Sequence, residues 1–125
     1  MFSDLLFNQA NDLWAKKWRT EIIWVLRKSP QRFSFIKKQL PGCSVKMLSE
    51  ALQDMEEKNL LIRVQYNTIP VKVTYELQGD LYPLIDSLIV YRKFLATYFL
   101  CNKERFNITK KEEIRELERI KLTGE

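Results

Sequence analysis

No histidine occurs among the 125 residues. That absence excludes Ser-His-Asp and Cys-His nucleophilic machinery and removes the commonest side-chain ligand of a transition metal. Glycine is nearly as rare, three in all, so no glycine-rich loop is available to cradle a phosphate. Cysteine is limited to Cys43 and Cys101, too few for a disulfide framework and in keeping with a reducing cytoplasm. No apolar run approaches the roughly 18 residues that a membrane helix needs. The opening MFSDLLFNQANDLW lacks the basic region and long apolar core of a secretory leader. Carboxylates alone are placed in no identifiable cleft. The expectation is a cytoplasmic chain that is not an enzyme, takes no metal or cofactor and has no membrane partner.

What is present is basic charge and apolar pattern. Lys and Arg number 21 against 16 Asp and Glu, and the excess is local. From Lys16 to Lys46 stand nine bases (Lys16, Lys17, Arg19, Arg27, Lys28, Arg32, Lys37, Lys38 and Lys46) and one acid, Glu21. A basic field of that density suits phosphate contacts, although an isolated run of this kind is usually a solvated surface. With 46% apolar residues the chain can bury a core, and its length fits one domain.

The stretch FSFIKKQLPGCSVKMLSEALQDMEEKNLL, from Phe33 to Leu61, reads as a helix, a tight turn and a longer helix. Pro41 cannot continue a helix and Gly42 accepts a left-handed backbone. Ser44 then stands where an N-cap is wanted. Leu48, Ala51, Leu52 and Met55 share one helical face, opposite Lys46, Ser49, Glu50, Gln53 and Asp54. Two helices joined by a glycine-containing turn describe a helix-turn-helix, whose second helix can enter the DNA major groove. Ordinary core packing produces such pairs too.

The flanking segments sharpen the choice. Ser3 to Leu13 predicts a short helix, with Leu5, Leu6, Phe7, Ala10 and Leu13 available to pack. Lys16 to Lys28 predicts a stronger one, striped by Trp18, Ile22, Val25 and Leu26 and closed by Ser29-Pro30. After Asn59 the period falls to two: Leu61, Arg63, Gln65 and Asn67 alternate with Ile62, Val64 and Tyr66. Val71, Val73, Tyr75 and Leu77 then alternate with Lys72, Thr74 and Glu76. A hairpin directly after a helix-turn-helix is a wing. The fold class expected is mainly α with a small β-hairpin, a winged helix-turn-helix.

Gly79 and Asp80 open a helix to about Cys101 that is apolar nearly all round, and such a helix needs burial on more than one side. A second copy of the chain is the reading for that second side, through Leu81, Leu84, Ile85, Leu88, Tyr91, Leu95 and Tyr98; the plainer reading is enclosure by the chain's own termini. Thr109 and Glu112 have the spacing of a capping box for a last helix, with Ile114, Leu117, Ile120 and Lys121 along it. The organisation expected is a single domain, 1–125, with an N-terminal helix (1–15), a winged core (16–78) and C-terminal dimerisation helices (79–125).

A family resemblance rests on these residues. Lys17-Trp18, Ile22 to Leu26, Ser29-Pro30, Arg32-Phe33, Leu40-Pro41-Gly42, Ser44, Lys46-Met47-Leu48, Leu52, Met55-Glu56, Asn59-Leu60, Tyr66, Ile69-Pro70-Val71, Val73, Tyr75 and Leu77 keep the order and spacing of the HxlR-type winged-helix transcriptional regulators. The chain resembles them from about Lys16 to Tyr91. The resemblance implies a homodimer joined through terminal helices, the helix from Ser44 in the major groove of double-stranded DNA and the wing on the flanking backbone or minor groove. Carried over position by position, it places Lys46, Ser49, Glu50 and Gln53 at the DNA, Lys72 as the basic wing residue and Arg32 at a phosphate.

Three departures qualify the resemblance. The family's redox sensors carry a cysteine ahead of the tryptophan helix, whereas residues 1 to 42 here contain none, so that sensing chemistry does not transfer. Positions 50 and 53 more often hold neutral or basic residues in the family, and Asp54 adds a second acid. The helix after Thr109 extends beyond the usual core.

Each site residue has a plain alternative beside its functional one. Lys46 suits a guanine or a phosphate, and Gln53 suits adenine. Ser49 can reach a base edge, and Ser44 lies at the helix start. Lys37, Lys38, Arg32 and Lys72 would set register without reading sequence; any of them could equally be surface charge. Cys43, ahead of a helix N-terminus that lowers a thiol pKa, is the candidate redox thiol, against a small residue tolerated in a turn. Cys101, on a hydrophobic helix end, is expected in core or interface packing. Two other readings stay open: a winged helix turned to protein contact, favoured by Glu50 and Asp54, and a regulator binding a small molecule at the dimer interface beside Tyr91, Phe94 and Tyr98. The sequence names no effector.

Overall fold

The structure is a computed structural model describing Leu6 and residues 16–125. The helix expected from Ser3 to Leu13 lies, Leu6 apart, outside the described residues. The chain divides between Tyr82 and Pro83 into two compact units.

In the first unit the order is α1 (Arg19–Val25), α2 (Phe33–Gln39), α3 (Val45–Glu57), β1 (Leu61–Tyr66) and β2 (Lys72–Leu77), followed by a 3-10 turn, Gly79–Leu81. Helix α1 is shorter than the Lys16 to Lys28 expected. Trp18 takes a left-handed backbone (φ 74°) that no α-helix contains, and Leu26 caps the other end. Its stripe is also rotated: Ile22, Ile23, Leu26 and the stem of Arg19 are buried, while Trp18 and Val25 are half-buried.

Helix α2 buries Ile36, and α3 buries Leu48, Leu52 and Met55. With Leu40, Cys43, Leu61 and Leu77 these make one core. Each fully buried Leu, Ile or Met side chain is worth about 1.5–3 kcal/mol relative to exposure, so the core residues hold the three helices together.

The hairpin is antiparallel, with Leu61 opposite Leu77 and Tyr66 opposite Lys72. Burial does not follow the expected alternation: Leu61 and Leu77, a facing pair at the base of the ladder, are buried, but so is Thr74 on the other face, while Arg63 and Gln65 are exposed and Val73 and Tyr75 half-buried. One pairing was not anticipated. The Gln31 N–H donates to the Tyr75 carbonyl at 2.9 Å and the Tyr75 N–H to Gln31 O at 2.8 Å, an isolated bridge that ties the chain ahead of α2 to the outer edge of β2.

The second unit holds most of α4 (Tyr82–Cys101) and all of α5 (Lys111–Thr123). The expected Thr109 capping box does not form. The N-cap is Lys110, with no side-chain cap hydrogen bond. Ile114, Leu117 and Ile120 are half-buried, but Lys121 is exposed and leaves the stripe. The C-cap is Gly124, at φ 76°, where Arg92 Nε donates to the Gly124 carbonyl at 2.8 Å. A Cβ at Gly124 would stand 2.4 Å from the Ile89 side chain, so glycine is required both by the backbone and by the space. After α4, Phe106 folds edge-on against Phe99, centroids 4.9 Å apart, and against Tyr98.

Candidate nucleic-acid interface

The turn from α2 to α3 lies where the sequence predicts, but Gly42 does not take the left-handed backbone expected of it; among the described glycines Gly124 alone has a positive φ. Leu40 ends α2, and the Cys43 N–H returns to the Leu40 carbonyl at 3.0 Å. A Cβ on Gly42 would crowd the Trp18 ring at 3.3 Å, so the bare glycine lets the indole close over the turn. The Ser44 hydroxyl accepts the Met47 N–H at 3.1 Å, satisfying one of the orphan donors of the first turn.

With Leu48, Leu52 and Met55 turned inward, Lys46, Ser49, Glu50 and Gln53 are all exposed on α3. Gln53 Nε2 makes only a long contact with Glu57, 3.5 Å, so its amide is available to another partner. Val45 and Met47, 59% and 36% exposed, join them at the helix start. Reading the sequence missed these two. Their signal was an apolar residue standing off the buried stripe, and such side chains suit a thymine methyl.

Asp54 is corrected. It is not a free acid on the polar face: Arg19 Nη2, on a side chain only 2% exposed, reaches its carboxylate at 2.5 Å, and Lys58 Nζ lies 3.0 Å from the other oxygen. The hydrogen bond from Arg19, then that from Lys58, holds the Asp54 pKa below its ordinary value. Its charge is answered within the unit rather than turned toward a phosphate. Glu50 remains exposed, lining a shallow cleft of about 310 Å³ with Lys16, Lys17 and Met47 among its other walls.

Around this helix stand the expected bases. Arg32, at the N-cap of α2, and Lys38 are exposed, while Lys37 is half-buried. On the hairpin, Lys72 is half-buried, its ammonium 5.2 Å from the centroid of the Tyr66 ring. The structure brings the recognition-helix, α2 and wing candidates into one compact unit.

Residues 13–99 match the model of the HxlR-like helix-turn-helix family. The chain belongs to that family. The uncharacterised HTH-type transcriptional regulator YkvN of Bacillus subtilis (strain 168) is 30% identical over 93 residues, covering 72% of this chain and 79% of that protein. The reduced form of the B. subtilis regulator YodB superposes with a TM-score of 0.61 at 31% identity, over 69% of this chain and 87% of the other. A protein of Enterococcus faecalis V583 assigned to the MarR family gives 0.68 at 25% identity, over 82% and 92%.

The two cysteines lie apart, Cys43 in the turn and Cys101 at the end of α4. Cys43 is fully buried, and burial pushes its thiol pKa up, with Lys37 and Lys17 pulling the other way. The lowered pKa expected of a redox thiol is therefore not found. Cys101 is exposed in the single chain, which removes the core half of its core-or-interface expectation.

The α4 residues divide unevenly. Ile85 and Leu88 are already buried within the chain, so they have little surface left to offer a partner, and Leu81, Leu84 and Leu95 are half-buried. Tyr91 and Tyr98 are exposed, and Val90 and Phe94, 68% and 60% exposed, lie along the same side of the helix. The free stripe on α4 is thus Val90, Tyr91, Phe94 and Tyr98. Among the described residues no helix is long and apolar enough to cross a membrane.

Proposed function

We propose that this HxlR-like regulator binds a two-fold-related DNA site as a homodimer, inserting α3 into the major groove and laying the hairpin over the neighbouring backbone or minor groove. The observation that carries the reading is the division of α3: Leu48, Leu52 and Met55 are wholly inside, while Lys46, Ser49, Glu50 and Gln53 stand in solvent. A helix fixed that firmly by one face presents the other without rearrangement. In this arrangement Lys46 and Gln53 address base edges, Ser49 lies between them, and Ser44 keeps the helix start ordered. Arg32, Lys37, Lys38 and Lys72 supply phosphate contacts, which fix register rather than sequence.

The alternative of a protein-binding module drew on two acids on the outer face, Glu50 and Asp54. With Asp54 paired to Arg19 and Lys58, Glu50 alone speaks for it. A carboxylate at that position can accept from cytosine N4, so Glu50 is compatible with selective DNA contact.

The test is selection of genomic fragments by the purified chain, followed by titration of the selected site at several salt concentrations. Specific binding with a log-log salt slope of about −0.9 per neutralised phosphate is expected. Replacing Lys38 by Ala should flatten that slope by about 2, one phosphate lost in each protomer. Failure to select any fragment at low salt would sink the reading.

A further inference from the structure

The wing tip carries a feature that phosphate gripping does not explain. From Tyr66 to Val71 the sequence is Tyr-Asn-Thr-Ile-Pro-Val, without one charged side chain. Ile69 at its apex is fully exposed, and Val71 (60%) and Tyr66 (42%) are open beside it. The bases stand at the root instead: Lys72 beside the Tyr66 ring and Arg63 further down β1.

The tip is also held in shape. Tyr66 and Lys72 form the last pair of the ladder, and the Thr68 hydroxyl donates to the Pro70 carbonyl at 2.8 Å. Ile69 is therefore presented at the end of an ordered loop, not folded back on the hairpin. Such an apolar group gains only by being buried in something else. On the reading above, the surface beside this hairpin is a duplex already engaged by α3. Its backbone offers nothing to an isoleucine, but its minor groove, walled by sugars and floored by base edges, does. Proteins that read the minor groove commonly insert Ile, Leu, Phe, Met or Pro there, unstack a step and bend the helix toward the major groove.

We infer that Ile69, flanked by Val71 and Tyr66, is an apolar wedge that enters the minor groove beside the α3 contact and bends the DNA. Lys72 holds the adjoining phosphate while the tip goes in. The wedge makes the protein selective for deformable pyrimidine–purine steps at the wing position, where no hydrogen-bond reading is available. This rests on the DNA-binding reading, and the experiment separates the two.

The full chain and its I69S variant are titrated on the selected fragment, and bending is read from circularly permuted fragments. The substitution lies on a fully exposed side chain, so the melting temperature should stay unchanged. Expected are an affinity about tenfold weaker for I69S, a reduced bend and an unchanged salt slope, since no charge is lost. I69L should retain both affinity and bend. Wild-type binding with the I69S chain equally tight and equally bent overturns the wedge and leaves the DNA reading standing. Absence of wild-type binding to any fragment removes that reading, and the wedge with it.

Discussion

Asp54 shows how one side chain can reverse the meaning of a pattern. Counted along the helix it is a second acid on a DNA-facing surface. In space it answers the guanidinium of Arg19, which is almost without solvent exposure. Removing the carboxylate takes one anionic partner from a guanidinium that is too deep to hydrate, and breaking such pairs costs several kcal/mol when both partners are buried. Asp54 itself is 37% exposed, so solvent screening reduces the figure, and D54N should destabilise the chain by about 2 kcal/mol. The pH dependence follows from the direction of the shift. The native pKa of Asp54 lies below its ordinary value of 3.8, so the pair contributes fully above that value and its contribution fades as pH falls through the native pKa. Urea midpoints measured from pH 7 down to pH 3 should therefore show wild type and D54N converging only below about pH 4. A constant gap across that range would mean that the pair carries no linked proton.

At the scale of elements, what was legible in advance is what repeats. The face of α3 recurs every three or four residues and the hairpin every two, so both could be read from sequence, as could Ser44 as the cap. The features that escaped have no period. The Gln31–Tyr75 bridge is a single pair, the Arg19–Asp54 contact joins residues 35 apart, and the Trp18 backbone (φ 74°) shortens α1 without any proline or glycine to announce it. Thr109 failed for a different reason: a local capping motif competes with the path of the chain, and Lys110 took the cap with no side-chain bond. Two substitutions probe the helix ends that do matter. S44A removes the acceptor of the Met47 N–H and should cost about 1 kcal/mol, seen as a lower melting temperature with DNA affinity following only as far as α3 frays. G124A forces a side chain into the left-handed region, a cost of about 1–2 kcal/mol, and drives its Cβ to 2.4 Å from Ile89. Amide exchange should quicken through α5 while the protection of α3 is unchanged; equal protection in both helices would show the Gly124 contact to be idle.

At the scale of the whole molecule the open question is what covers the outer stripe of α4. Val90, Phe94 and Tyr98 follow at four-residue steps with Tyr91 alongside, and each is at least 36% exposed. Ile85, Leu88 and Ala96 are buried, so the helix spends its two apolar sides differently. A stripe of four large side chains left in water is the mark of an interaction surface, and a two-fold pairing of identical stripes would complete it with no further partner. Because none of the four is buried in the single chain, charging them can separate association from folding. The double variant V90E/F94E should keep its secondary structure and melting temperature but sediment as a monomer at concentrations where the wild type is a dimer. Losing the second recognition helix converts paired binding into a single half-site contact, and operator affinity should fall by at least about 100-fold. The dependence on half-site separation should vanish with it, since a spacing of one helical turn is felt only by a protein that grips both halves at once. A double variant that remains dimeric would place the seam on another face of the chain. A monomer with undiminished operator affinity would show that pairing contributes nothing to recognition.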